Sequence, residues 1–424
     1  MEKRKPQIVV LGSNFAGLTT ARLLRKEIKD NADITVIDRK SYLLFVPNIP
    51  ETVMSNRNPQ YDMHMEFLRF YKEDHTHFIK ANVNEIDPES QTVTFTPNER
   101  PGQTGEKIRY DYLIIAVGCR LAYDHIEGFA EYGSTVSDSF NGNKLRHYLW
   151  DGAYKGGPIA IGSALFEQGD TGRPAWLPTL KAACEGPVME MAMLLANWQK
   201  EHRHQKDASL IHMFTPGEIL GEDAGTVLAD QFAKLAEGMG ETILYDTDNI
   251  KRITADGIEF TNGKSMEAEI KLVLPNWEAH AFLKSLPIVD NKGFVITDTY
   301  MRNPKYKNIF AVGDCAALSV PKLGAIGDAQ ARVVAKQIAA DLGIIEQSEC
   351  KQWEPMVICW GTMGDHKAFY LHSNLFYGGD VGYLKMGHMY YMMKMSFRMM
   401  YYDTGGTPPP WGLPLAEWVG DKIG

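Results

Sequence analysis

The 424-residue chain has five cysteines and no CxxC pair. That fits neither a secreted disulfide scaffold nor a zinc ribbon. No run of about eighteen apolar residues occurs, so a spanning helix is not expected. Basic residues are outnumbered, 44 to 53, and are scattered over a chain of net charge -9. Nothing in that balance suggests nucleic acid. The twelve histidines form no ligand-spaced pair, and no metal is implied. Met1-Glu2-Lys3-Arg4-Lys5-Pro6 leads straight into an apolar strand without the pattern of a signal peptide. A cytoplasmic setting is therefore the default expectation, and a disulfide there would be catalytic. Apolar residues make up 44% of the chain, which is ample for real cores. The length allows about two to three domains.

The stretch that organises the chain is Ile8-Val9-Val10-Leu11-Gly12-Ser13-Asn14-Phe15-Ala16-Gly17. A buried-strand run breaks on Gly12, and a helical run follows from Leu18 to Leu24. This is the strand, tight turn and helix of a dinucleotide-binding unit. Gly12 permits the turn, and Gly17 lets helix and strand pack closely. The helix N-terminus offers free N–H groups to a pyrophosphate. Asn14 stands where the second glycine usually sits. The next strand, Ile34-Thr35-Val36-Ile37-Asp38, ends in an acid placed as a ribose ligand should be.

Further along, Ser41–Pro47 follows the ribose acid, and Tyr110–Gly118 reads as a buried strand ending on a glycine. A second strand–turn unit begins at Gly157-Pro158-Ile159-Ala160-Ile161-Gly162-Ser163, but no close glycines follow. An irregular stretch containing Gly169, Gly172, Pro174 and Pro178 intervenes before a helix that starts at Gly186-Pro187. The insertion separates strand from helix end, so this unit reads as Rossmann-like but poor at holding NAD(P)H. Strands are expected at Leu210–Phe214 and Ile270–Leu274. Asn308–Ala316 is a short strand ending in Gly313-Asp314, followed by Pro321-Lys322-Leu323-Gly324 and a helix from Gly327 to about Leu342. Pro355–Tyr370 reads as strands around a turn. Tyr383–Tyr402 is rich in methionine and tyrosine. Lys394 and Arg398 share a helical face there while Lys385 falls opposite, so the stretch is not cleanly amphipathic. Basic stems could snorkel while aromatic rings sit at headgroup level, which favours monotopic membrane contact over packing on the protein's own core or on another subunit. Gly405–Trp411 reads as an irregular closing segment.

Gly12–Gly17, Asp38, Ala116-Val117-Gly118 and Val312-Gly313-Asp314 together resemble the two-dinucleotide-domain flavoprotein disulfide reductase superfamily, over most of the chain. The resemblance implies an α/β fold of two Rossmann-like domains plus a C-terminal membrane-associating segment. The division it implies is 1–120 and 291–344 for FAD, 121–290 for the second Rossmann-like domain, and 345–424 facing quinone and membrane. FAD would be held by Gly12, Asn14, Phe15, Ala16, Gly17, Asp38, Arg39, Val117, Gly118, Gly313, Asp314 and Lys322, with Asp314 on the ribityl chain. The CxxxxC pair of glutathione-reductase-like members is absent. Two membrane-associated branches remain, type II NADH dehydrogenases and sulfide:quinone oxidoreductases.

Four features look like the second branch. Cys184-Glu185-Gly186-Pro187-Val188-Met189-Glu190 is similar to its Cys-x-Gly-Pro-x-x-Glu, and Pro321-Lys322-Leu323-Gly324 to its Pro-Lys-x-Gly. Val357-Ile358-Cys359-Trp360-Gly361 supplies a late cysteine. The lost second glycine fingerprint is the fourth. The chain departs from some members in lacking a third cysteine near Ser134–Asp138, and in carrying acids near Thr215–Glu222 in place of a histidine. Cys119, which follows the strand end directly, is not a substitute for that cysteine. Gly361-Thr362-Met363-Gly364 echoes the NADH dehydrogenases and keeps that alternative open.

The resemblance implies oxidation of hydrosulfide to zero-valent sulfur by a cysteine pair, with two electrons passing through FAD to a membrane quinone. Cys184 and Cys359 are the expected pair, with Cys359 nearer the flavin and Cys184 receiving sulfide. Cys350, in a polar loop-like stretch, is the rival to Cys359. Cys184, just ahead of a helix, is expected to have a lowered pKa that favours thiolate. Glu190 is a candidate proton acceptor, and Lys322 a candidate stabiliser of negative charge on flavin or quinone. Cys119 and Cys315 read as small core hydrophobes. Phe369, Tyr370, Phe376 and Tyr383 are candidate walls of a quinone pocket. The protein is expected at the cytoplasmic membrane as a peripheral homo-oligomer. A non-enzymatic flavoprotein module is the remaining reading.

Overall fold

The computed structural model describes residues 4–102, 105–167, 178–409 and 411–422. Gly169, Gly172 and Pro174 of the expected insertion lie outside them. The apolar run at the start forms β1 (Gln7–Leu11), and Phe15–Ile28 forms α1. β2 (Asp33–Asp38) pairs with β1 in parallel, Val10 opposite Val36. The sheet continues outward through β3 (His77–Asp87), β4 (Thr92–Pro97) and β5 (Glu106–Arg109). On the other side of β1 lies β6 (Tyr112–Ile115).

A second sheet takes β7 (Gly133–Ser134), β8 (Ile159–Ser163), β9 (Ile211–Phe214), β10 (Thr242–Leu244) and β11 (Ile270–Leu274) in the order β7-β11-β8-β9-β10, all parallel. Between β8 and β9 the chain makes α2 (Gly186–Arg203). It then returns to the first sheet as β12 (Ile309–Ala311), beside β6, which completes the order β12-β6-β1-β2-β3-β4-β5. α3 (Gly324–Asp341) packs lengthwise on α1. Every residue of β8 and β11 is buried, as expected of parallel strands covered on both faces.

The last part is an antiparallel sheet of β13 (Val357–Gly364), β14 (Lys367–Ser373) and β15 (Gly382–Gly387), then α4 (His388–Thr404) and α5 (Gly412–Lys422). Successive side chains of a strand point to opposite faces. Phe369 accordingly joins the core around α2, while Tyr370 stacks on Tyr390 of α4 at 5.6 Å. The Phe369 ring lies against Gly361 so closely that a Cβ there would overlap it.

Two expectations for this region are corrected, and one helix is added to them. Tyr383–Gly387 is strand, so Lys385 never shares a helix with Lys394. Lys394 does not snorkel: it is 3% exposed, ion-paired to Glu190 of α2, and donates to Thr362 Oγ1 at 3.2 Å. The closing segment is followed by a helix, α5, which propensity around Gly412, Pro414 and Gly420 did not suggest. Among the described residues, no helix is long and apolar enough to cross a membrane.

The Glu190–Lys394 pair holds α4 to α2 across the end of β13. Removing one partner of a buried pair leaves a desolvated charge, at a cost of about 3–5 kcal/mol. Lys394→Met is expected to lower unfolding free energy by that order in chemical denaturation. The double variant Glu190→Gln/Lys394→Met should recover most of the loss.

Candidate active site

At the first turn, Gly12 has φ +95°, and a Cβ there would collide with the Ala116 carbonyl. A Cβ on Gly17 would collide with the Gly12 carbonyl. The Ser13 N–H donates to Asp38 Oδ2 at 2.6 Å and the Lys40 N–H to Oδ1 at 2.8 Å, so the acid is fixed at the strand end. No acid sits in the first turn of α1, which leaves its positive dipole end free for phosphate. Asn14 caps that helix with a buried Oδ1 that has no partner. Gly313, at φ +73°, meets Ala16 across the turn, and its N–H donates to Gln330 at 2.7 Å. Val117 and Gly118 lie half-buried at the end of β6, and Arg39 is exposed. The Asp314 carboxyl is pushed up by burial, against the opposing charge of Lys322. An orphaned amide oxygen, two side-chain-free positions and a desolvated acid at three strand ends fit a dinucleotide such as FAD.

The Cys184 loop crosses to this turn. Lys322 N–H donates to the Ala183 carbonyl at 2.8 Å, and Leu180 N–H to Ser319 Oγ at 2.9 Å. Lys322 is buried: its ammonium donates to the Asp314 carbonyl at 3.0 Å and lies 5.2 and 5.1 Å from the ring centroids of Phe166 and Phe294. Cys119 Sγ also contacts that carbonyl, at 3.1 Å, and Cys315 is fully buried.

Cys184 and Cys359 come together at the N-terminus of α2. A Cβ on Gly186 would stand 3.1 Å from Cys359 Sγ, and the charge of Cys359 bears directly on Cys184. Cys350 is elsewhere, past the end of α3, facing Asp341, Lys336, Glu349 and Arg302. The expected thiolate is corrected. Cys184 is 8% exposed, and burial, Cys359 and Asp223 raise its pKa well above the ordinary thiol value, outweighing the Gly186 N–H that lowers it. Cys359 is pushed up to about 12 by burial and by Glu190, against Lys394.

Glu190 faces away from a free proton-accepting role, taking the Thr362 N–H at 2.9 Å as well as Lys394. The four aromatic candidates do not line one pocket. Phe369 is in the α2 core and Tyr370 donates to Asp421 at 3.1 Å. Phe376 packs near Phe166, and Tyr383 lies against His372. Aromatic rings gather instead where α4 meets the first turn: Phe45, Phe397 and Tyr401 with Phe15 and Trp360.

The acids beside the thiols were not singled out by sequence. Glu185 is the variable position of the cysteine motif, and Asp223 follows the acids noted near Thr215–Glu222. Glu185 is 1% exposed, takes the Gly221 N–H at 2.6 Å on Oε2, and has no partner on Oε1. Burial raises its carboxyl to about 8. Burial and Glu222 raise Asp223 to about 7.

A family model described as "Pyridine nucleotide-disulphide oxidoreductase" matches residues 6–150. The fold is the Rossmann-like dinucleotide-binding fold of that class. The chain is 26% identical to the sulfide-quinone reductase of Aquifex aeolicus over 92% of its own length and 89% of the relative's. The crystal structure titled sulfide:quinone oxidoreductase from the same bacterium superposes with a TM-score of 0.80, at 23% identity, covering 97% of this chain and 95% of that one. The type II NADH:quinone oxidoreductase Ndh of Mycobacterium tuberculosis is 25% identical over 80% of this chain and 73% of its own.

A carboxyl that binds its proton more tightly when folded loses stability for the protein as pH rises from its unfolded to its folded pKa. For Glu185 that window runs from about 4.5 to about 8. Below it the group contributes no slope. Glu185→Gln keeps the acceptor for Gly221 and cannot ionise. Its stability curve should therefore sit on the order of a few kcal/mol above wild type by about pH 8, with the gap closing toward about pH 4.5 in denaturant titrations.

Proposed function

We propose that the protein is a sulfide:quinone oxidoreductase that works with FAD at a membrane surface. The observation that carries this reading is the meeting of Cys184 and Cys359, 175 positions apart, at one helix end beside the nucleotide turn. In the oxidised pair the two sulfurs are joined, directly or through bridging sulfur. With the pair joined directly, hydrosulfide attacks the Cys184 sulfur, a new S–S bond forms, and the Cys184–Cys359 S–S bond breaks. Cys184 then carries the incoming sulfur as a persulfide, and Cys359 leaves as thiolate. Hydrosulfide sulfur is thereby oxidised to the zero-valent level, and its two electrons reside on the pair.

FAD, held by the Gly12–Gly17 turn, Asp38, Val117–Gly118 and Gly313–Asp314, supplies a two-electron acceptor that a membrane quinone re-oxidises. Lys322 places a fixed positive charge beside Asp314, where negative charge on the reduced cofactor would need it. Glu190 and Lys394 position Cys359 from behind. We assign the quinone side to the aromatic wall of Phe45, Trp360, Phe397 and Tyr401. The exposed Met392 and Met399 of α4, with Trp411, Leu415 and Trp418, form the surface we assign to the bilayer interface; Met392 is 68% exposed and Trp418 55%. The units 1–120, 121–290, 291–344 and 345–424 and a homo-oligomeric state remain part of this proposal.

NADH as the alternative donor is disfavoured at the same helix end. A pyrophosphate needs free N–H groups there and tolerates no buried acid. Here Cys359 covers Gly186, and Glu185 stands at the cap.

Anaerobic mixing tests the assignment. Sulfide should bleach the flavin absorbance and NADH should not. Cys184→Ala and Cys359→Ser should each abolish bleaching by sulfide while retaining bound flavin. Bleaching by NADH, or full sulfide reactivity in either cysteine variant, would reject it.

A further inference from the structure

Each hydrosulfide oxidised to zero-valent sulfur releases one proton with its two electrons. The electrons pass to the flavin and quinone of the proposed reaction. Once the Cys359 thiolate has passed its electron pair on and is no longer a base, the proton is left on the Cys184 persulfide, in a buried pocket. Two other carboxyls are already engaged: Glu190 is bound to Lys394 and Thr362, and Asp314 lies at the nucleotide turn beside Lys322.

A different group of acids faces the thiols. The charge of Asp223 bears on both Cys184 and Cys359. Asp223 lies on the 3-10 turn Glu222–Ala224, packed against the Cys184 loop. The two segments are tied crosswise. Glu185 takes the Gly221 N–H, and Glu222 takes the N–H groups of Lys181 and Ala182. Both ties use one oxygen and leave capacity on the other. Glu185 Oε1 is fully buried with no partner, and so is the Tyr377 hydroxyl, which also feels Asp223 and Glu222. Glu222 is half-buried, with Lys181 and Glu218 beyond it toward solvent.

Resting on the sulfide reading, we propose that Asp223 accepts the proton of the Cys184 persulfide, with Glu185 behind it and Glu222 as the exit to solvent. The S–H bond breaks, a carboxyl O–H forms, and the persulfide anion left behind is the nucleophile for the next sulfur or electron transfer. The carboxyl is not oxidised or reduced. The groups that face Asp223 are Glu222 on its own turn, Cys184 and Glu185 ahead of α2, Cys359 on β13, and Tyr377 on the turn after β14. None is cationic, and Lys394 reaches only Cys359. Burial first, and Glu222 second, raise the carboxyl to about 7, in the range where a general base works best. This relay occupies the place where the chain carries acids near Thr215–Glu222.

The test is anaerobic single-turnover reduction of the flavin by sulfide, in the full-length protein, from about pH 6 to about pH 9. Wild type is compared with Asp223→Asn and Asp223→Glu. The ionisation of sulfide itself cancels in the ratio of wild-type to variant rates. Asp223→Asn should be slower by on the order of a hundredfold above about pH 7, the ratio should shrink as pH falls through about 7, and Asp223→Glu should restore most of the rate. A ratio that does not vary with pH, or an unchanged rate in Asp223→Asn, overturns the relay while leaving the sulfide reading intact. Failure of sulfide to reduce wild type overturns that reading and the relay with it. Should Asp223→Asn not fold, Glu185→Gln serves in its place. Its infrared difference spectrum against wild type should show a protonated-carboxyl band persisting at about pH 7, and absence of that band overturns the role of Glu185.

Discussion

One close approach governs this site: the sulfur of Cys359 lies against the backbone at Gly186, 3.1 Å from where a Cβ would stand. A Cβ at 186 would crowd that sulfur, so glycine eases the approach of β13 to the end of α2. The consequences follow in order. The N-terminus of α2, which in a nucleotide-binding unit would be open to a pyrophosphate, is closed by a strand from the far end of the chain. The closure buries Cys184 and half-buries Cys359, and desolvation is the largest influence on both thiols. A helix end is worth roughly 0.3–1 kcal/mol to a nearby charge, less than one unit of pKa, whereas full burial moves a group by up to several units. The magnitudes decide against the thiolate expected from the motif alone. A helix cap lowers a thiol pKa when the cap faces water, and this one faces a strand.

Closure also explains why acids accumulate beside the thiols. A pocket that holds thiols neutral holds carboxyls neutral by the same mechanism, and Glu185 and Asp223 are raised chiefly by burial. Glu185 can occupy the cap of a helix without anchoring an anion-binding site because its carboxyl binds the Gly221 N–H in a neighbouring turn. The same residue thus shapes the loop and denies the position to phosphate.

The parts legible in the sequence are those where local pattern and tertiary role coincide. The turn at Gly12, the acid at Asp38, the helix start at Gly186-Pro187 and the hairpin around Asp365 are each set by neighbouring residues, and each stands where expected. Cys350 lies in a polar stretch that reads as loop, while the preference for Cys359 rests on its resemblance to a late family cysteine. What was not legible depended on contacts between distant segments. Lys394 sits in a stretch whose composition suits an interface with lipid, and only its partner Glu190, 204 residues away, makes burial tolerable. Asp223 carries no local signal, since Gly221-Glu222-Asp223-Ala224-Gly225 is an ordinary polar turn until the Cys184 loop is laid on it. Alternation along β14 sends Phe369 and Tyr370 to opposite cores, so a count of aromatics in sequence could not assemble a pocket.

The buried Glu190–Lys394 pair joins these two kinds of information. α4 carries exposed methionines on one face and a fully buried lysine on another, an arrangement with no value for an independent surface helix. A desolvated ion pair is poor value as a source of stability, because an apolar pair of similar shape does as well or better. It does discriminate positions: a shift of α4 by one residue along its axis would strand both charges away from water. The Thr362 N–H and hydroxyl, three residues after Cys359, are bound to the two members of the pair. The strand that delivers the thiol and the helix that presents the apolar face are therefore held in one alignment. The Cys184 loop is held differently, by the Gly221, Lys181 and Ala182 N–H groups bound to the carboxyls of Glu185 and Glu222.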